Sequence, residues 1–259
     1  MQSQGKVQVG EAMIEFLADG SGDTVVLIPG GAMDASYFDG FARILANADF
    51  RAVAVNPRGA GESMGPMEGL TLHSFAADIA GVIEALNCAP AHVLGHAFGN
   101  RVARCLAVDR PELVRSVILL AAGGLIAPDA EAQAALQHWF RHDATASECL
   151  EAMQSMVADP SSAQRILRQV TRWPAVGAAQ IAASQATPVK DWWGEGSAVP
   201  FCIVQGIEDR IAPPGNGHAL RDQLGQPVRL VDIPHAGHML LSETPEAVAD
   251  AVLSFLREQ

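Results

Sequence analysis

Residues 93–102 read VLGHAFGNRV: a short apolar run enters a Gly-x-Ala-x-Gly turn centred on Ala97 and leaves into a stretch with helical spacing. A residue between a strand and a helix, with glycines two before and two after, can be held in a strained backbone conformation. Gly95 and Gly99 carry no Cβ to clash with so tight a bend. Such a turn lifts its middle side chain above the sheet, beside the free N–H groups of the helix start. Enzymes that use this turn put a hydroxyl, a thiol or sometimes a carboxylate at its centre. Here the centre is a methyl group. Alone, Gly-x-x-x-Gly is more often a plain strand–helix turn with close packing, so its surroundings decide its meaning.

Moving outward, TVVLI (24–28) is a buried strand that ends at Pro29-Gly30-Gly31, and SYFDGFARILANA (36–48) follows with helical spacing. RAVAVN (51–56) is the next strand, broken by PRGAGES; LHSFAADIAGVIEAL (72–86) is a helix with period 3.6. After the turn come a helix from about 98 to 108 and the strand SVILLAA (116–122). Residues 6–17 alternate loosely, as a leading strand or hairpin would. Apolar strands alternating with helices predict a mostly parallel, doubly wound α/β sheet covered on both faces. The alternation stops after Gly124. From 126 to 198 the chain reads as helices only, and it resumes with PFCIVQG (200–206), a helix around 215–224, VRLVDI (228–233) and PEAVADAVLSFLRE (245–258). The expected organisation is a core of residues 1–125 and 199–259 with a helical cap, 126–198, inserted after the sixth strand.

Bulk properties narrow the partners. The 259 residues suit one α/β domain with an insertion. A formal charge of −12 opposes nucleic acid and anionic membranes, which need clustered Lys and Arg. The first residues lack a basic and an apolar leader region, and no apolar run has the length of a membrane span. Cys88, Cys105, Cys149 and Cys202 are scattered without metal-like spacing and read as free, mostly buried thiols. A cytoplasmic location is expected. The partner is a small-molecule substrate, and a homodimer is compatible with the sequence.

Two further segments give the turn its meaning. VQGIEDRIAPP (204–214) is a strand running into a loop with Glu208 and Asp209. IPHAGHMLLSETPEAV (233–248) places His235 and His238 in a loop after a strand. All three stretches lie just past the carboxyl ends of strands, where open α/β sheets keep their sites. Their chain order is nucleophile position, acid, histidine, and the combination makes coincidence improbable.

With these residues in view, nearly the whole chain resembles the α/β-hydrolase family. LGHAFGN is similar to the nucleophile elbow, with Ala97 where the family most often has serine. QGIEDRIAP resembles the acid loop and nominates Asp209 over Glu208. HAGHMLLSETPE resembles the histidine loop and nominates His238 over His235. LIPGGAMDASYF resembles the oxyanion loop, with Pro29 in place of the common histidine, and NPRGAGES has Asn56 in place of aspartate. The resemblance implies an oxyanion hole from the N–H groups of Gly31 and Phe98, a lid formed by the insertion, and no cofactor. Trp139, Phe140 and Met153 are the substrate-lining candidates on the lid. Its few charges, among them Arg141, Arg165, Arg168 and Arg172, suggest a small or medium apolar molecule with a carbonyl. Ester, lactone and carbon–carbon cleavage all stay open.

In the Ser–His–Asp mechanism the hydroxyl attacks, the imidazole takes its proton and the carboxylate orients the ring. Alanine cannot form the acyl-enzyme. Three readings follow: a serine hydrolase in a Ser-to-Ala form, a natural His-dependent enzyme that works without a nucleophile, and an inactive pseudohydrolase that binds a ligand. Plain decay ranks last because acid, histidine and glycines are all kept; the departures at Pro29 and Asn56 tilt the balance towards a natural alanine. His96 is read as packing. Of His73, His92, His138, His142 and His218 only His138 and His142 stand four apart, and none is read as part of an acid-flanked cluster, so no metal is expected.

Overall fold

The computed structural model describes residues 3–193, 198–224 and 228–259. The apolar runs become β3 (Asp23–Ile28), β4 (Phe50–Val55), β5 (Ala91–His96), β6 (Val114–Leu120), β7 (Phe201–Gly206) and β8 (Val228–Ile233), all parallel. The loosely alternating start forms an antiparallel hairpin, β1 (Ser3–Val9) and β2 (Ala12–Asp19), and β2 joins the sheet antiparallel to β4. The eight strands lie in the order β1-β2-β4-β3-β5-β6-β7-β8. β3 and β5 are buried nearly throughout because helices cover both faces, which is why they read as unbroken apolar runs rather than alternating ones.

Two hydrophobic layers flank the sheet. One includes Phe41 and Leu45 of α1 (Asp39–Asn47) and Val248, Val252 and Phe255 of α11 (Pro245–Leu256). The other includes Phe75, Ile79 and Ile83 of α2 (Leu72–Ala85) and Val102 and Leu106 of α3 (Phe98–Asp109). Between β6 and β7 run α4 (Ala130–Phe140), α5 (Ala146–Met156), α6 (Ala163–Leu167), α7 (Pro174–Ala186) and α8 (Val189–Trp192). α9 (Gly215–Leu224) and α10 (Leu240–Glu243) complete the set of described α-helices. Of the expected cap range 126–198, residues 194–197 lie outside the described residues.

The insertion is not uniform. Trp139, Met153 and Met156 join the first layer, but Trp192 and Trp193 belong to the second, packed against α3. The fully buried Arg104 guanidinium causes this: it lies 4.5 Å from the Trp192 ring and 4.7 Å from the Trp193 ring. Its N–H groups donate to Asn100 Oδ1 and to the Gly123 carbonyl. Burial lowers its pKa, and the two aromatic faces supply the attraction that a carboxylate would otherwise give. Among the described residues no helix is long and apolar enough to cross a membrane.

Candidate active site

Ala97 sits between β5 and α3 with φ 48° and ψ −107°, a conformation costly for any residue with a Cβ. Close approach explains the two glycines around it. A Cβ on Gly95 would strike the Gly99 carbonyl, and a Cβ on Gly99 would strike the Ile28 carbonyl. The helix therefore starts directly against β3, and Phe98, its first residue, has an N–H with no intrahelical acceptor.

At the ends of β7 and β8, the Asp209 carboxylate accepts a hydrogen bond from His238 Nδ1 at 2.9 Å. Its other oxygen accepts from the N–H groups of Ile211 (2.9 Å) and Ala212 (2.7 Å), which fixes the carboxylate plane. Glu208 turns away and takes the N–H of Ala236, while His235 is exposed with φ 58°. With Nδ1 engaged, His238 keeps Nε2 for the cavity that it lines together with Ala97.

That cavity measures about 480 Å³. Gly30, Gly31, Ala97 and Phe98 form its floor; Leu136, Trp139, Phe140 and Met156 form an apolar wall from α4 and α5. Gly31 and Phe98 both line it, so both loops of the expected oxyanion hole meet there. The Gly31 loop is held from the insertion: Trp139 Nε1 donates to the Gly31 carbonyl (3.0 Å), Gln180 Oε1 accepts from Ala32 N–H (2.8 Å), and Trp173 N–H donates to the Ala32 carbonyl (2.8 Å).

The comparisons with known proteins agree with this frame. Residues 23–148 match the family model described as alpha/beta hydrolase fold. The chain is 29% identical to a putative non-heme bromoperoxidase, BpoC, of Mycobacterium tuberculosis over 92% of this chain and 95% of that one. It is 26% identical to the 2-(acetamidomethylene)succinate hydrolase of Mesorhizobium japonicum over 97% and 94%. Among solved structures, BpoC superposes with a TM-score of 0.79 at 26% identity, covering 95% of this chain and 96% of that one. A thermophilic esterase from Thermogutta terrifontis superposes with 0.81 at 23%, covering 99% and 98%. The chain has the α/β-hydrolase fold. Its sequence is similar to those of enzymes built on that fold, which supports a hydrolase.

Within the hydrolase frame, His96 does more than fill space. It is buried, lines the cavity, and donates from Nε2 to the His238 carbonyl at 2.8 Å. Burial pushes its pKa down to about 3, so the ring is neutral. The NPRGAGES stretch is a latch: Asn56 Oδ1 accepts from Ala35 N–H (2.7 Å) and its Nδ2 donates to Glu15 Oε2 (2.6 Å). Arg58 forks onto Asp78 at 2.7 and 2.9 Å.

Two expectations, on Met153 and on His73, need correction. Met153 is fully buried and does not line the cavity; Met156, three residues on, does, because α5 docks with that face towards the site. Arg141, Arg165, Arg168 and Arg172 are not among the residues that line the cavity, in keeping with an apolar lid face. Arg141 pairs at the surface with Asp143 and Glu148, and Arg172 donates to carbonyls of 138, 139 and 141. The cation that lines the cavity is Arg101, one helical turn after Ala97, a spacing that could have singled it out. Finally, His73 does have acid and thiol neighbours. Its Nδ1 lies 2.7 Å from Asp109 Oδ2 and 3.4 Å from Cys105 Sγ, because α2 and α3 pack side by side. The group lies outside the cavity lining, and the His73–Asp109 hydrogen bond accounts for it. Gln180 was also missed; a glutamine in an alanine-rich helix carries no local signal.

Proposed function

We propose that this chain is a hydrolase-type enzyme for a small or medium, largely apolar carbonyl compound, cleaving an ester, a lactone or a carbon–carbon bond. His238, oriented by Asp209, is its general base. Ala97 forms no covalent intermediate, so the attacking group is water, held where a nucleophile's hydroxyl would lie. The water oxygen bonds to the carbonyl carbon while His238 Nε2 takes its proton. The same proton then goes to the leaving group as the carbonyl re-forms. Asp209 stabilises the imidazolium that exists between these steps. The N–H groups of Gly31 and Phe98 take the developing negative charge on the carbonyl oxygen. α4 to α7 act as the lid, and no cofactor enters the mechanism.

What carries this reading is the 2.9 Å His238–Asp209 hydrogen bond, with Asp209 locked by two backbone donors and His238 lining the cavity beside Ala97. A second reading, a serine hydrolase in its Ser-to-Ala form, draws on the strained φ of 48° at Ala97, a conformation that serves a methyl group no purpose.

The two are separated by assaying the chain, Ala97→Ser and His238→Ala against short-chain aryl esters and lactones. Water-based chemistry gives turnover that His238→Ala abolishes and Ala97→Ser barely alters. A rise of several orders of magnitude in Ala97→Ser, with fluorophosphonate labelling, assigns the Ser-to-Ala form. A chain inert in all forms that still binds a small molecule tightly is a pseudohydrolase.

A further inference from the structure

The cavity is not apolar throughout, and its polar groups are biased in one direction. The chain carries 29 Asp and Glu residues, yet among the described residues no Asp or Glu lines the cavity. Arg101 does line it, half-buried. Among the described residues its guanidinium has no carboxylate partner; the Trp192 ring lies 5.3 Å away. The ring offers a cation–π contact but no counter-charge. Burial lowers its pKa, as expected for a cation taken from water without a counter-charge.

Gln180 adds a second unsatisfied donor. It is 2% exposed and lines the same cavity. Its Oε1 is fixed by the Ala32 N–H, which can only donate, so the amide orientation is determined and Nε2 is the remaining atom. Nε2 has no hydrogen-bond partner. A buried NH2 group and an unpaired cation in one cavity are each costly to keep without an acceptor.

Resting on the reading of this cavity as the substrate site, we propose that the substrate carries a carboxylate, gripped by Arg101 and Gln180 Nε2. The carbonyl to be cleaved sits by Ala97 and His238. The planar fork of an arginine suits a carboxylate. A single cation against otherwise apolar walls suits one negative charge; a dianionic phosphate would keep a second charge uncompensated.

The test is calorimetric titration of the whole chain with 4-oxo-4-phenylbutanoate and with its neutral amide, 4-oxo-4-phenylbutanamide. The carboxylate should bind at least about tenfold more tightly, as a charge-assisted contact provides. The preference should shrink with added salt. Arg101→Met should bring the ratio of the two affinities to about one, and so should Gln180→Glu, whose carboxylate still accepts from Ala32 N–H but repels the ligand. If Arg101→Met does not fold, Arg101→Lys should keep part of the preference. Equal or tighter binding of the amide, a preference that survives both substitutions, or no binding of either ligand overturns the proposal. Turnover of phenyl butyrate by the chain and by Ala97→Ser tests the hydrolase reading separately. Turnover without a carboxylate preference sinks the clamp and leaves that reading standing. A preference dependent on Arg101 without any turnover does the reverse.

Discussion

His96 holds the peptide of His238: Nε2 of the first donates to the carbonyl of the second at 2.8 Å, with the two rings 5.2 Å apart. The residue beside the elbow is thus tied directly to the loop that carries the proposed general base. Replacement by phenylalanine fills similar space but removes the ring donor at that carbonyl. His96→Phe should cost about 1–3 kcal/mol in denaturant unfolding, the penalty of a buried acceptor left unpaired. It should also lower His238-dependent turnover. His96→Gln, which keeps an N–H, should recover part of both. A fully stable and active His96→Phe would reduce the contact to packing.

His92 and His96 are buried and neutral, with pKa values pushed by burial down to about 4 and about 3 from an ordinary 6.5. Below 6.5 the unfolded chain binds protons that the folded chain refuses, so their stabilisation is complete above that value and lost as the pH falls. The slope per histidine is at most about 1.4 kcal/mol per pH unit. Asp78 and Glu243, whose carboxyls are raised by burial, oppose this trend, so the informative quantity is a difference. Relative to its value at pH 7, the stability of His92→Gln should fall less by pH 5 than that of the unaltered chain. Parallel curves would show that His92 does not titrate as described.

The parallel strands were legible because both faces of the sheet are covered, which turns each strand into an apolar run. The β1–β2 hairpin was only hinted at, since β1 is largely exposed and its alternation is loose. Asp209, His238 and the elbow stood out because each follows a strand and the backbone around it is constrained. The cavity walls were less visible. Choosing Met156 over Met153 requires knowing how α5 docks, and two residues of one amphipathic helix differ only in phase. Trp192 and Trp193 looked like cap residues; their place is set by Arg104, on a helix some ninety residues earlier in the chain. Gln180 acquires meaning only when α7 reaches the Ala32 loop.

Asp209→Asn keeps an oxygen for the N–H groups of Ile211 and Ala212 but turns an NH2 group towards His238. The ring must then accept at Nδ1 and carry its proton at Nε2, the wrong tautomer for a base facing the cavity. Turnover should fall by about 10⁴, the size typical of this change in a histidine–carboxylate pair, while the thermal midpoint stays close to that of the parent. A drop below tenfold would mean that His238 does not act as the base.

Trp139 links the insertion to the oxyanion loop through a single atom. The side chain is 2% exposed, and its Nε1 donates to the Gly31 carbonyl, on the residue whose N–H is proposed to bind the substrate oxygen. Trp139→Phe keeps most of the apolar contact and deletes that one donor. Loss of a buried partner should cost about 1–3 kcal/mol of stability. The larger effect should be kinetic. Removing an oxyanion donor outright costs about 10²–10³ in rate, and a donor merely displaced costs less, so kcat should fall by about tenfold with KM moved little. Phe140→Leu is the control, since Phe140 lines the same cavity but bonds no atom of the loop; it should shift KM more than kcat. If Trp139→Phe raises KM and spares kcat, Trp139 is a wall of the cavity and not a support of the Gly31 loop.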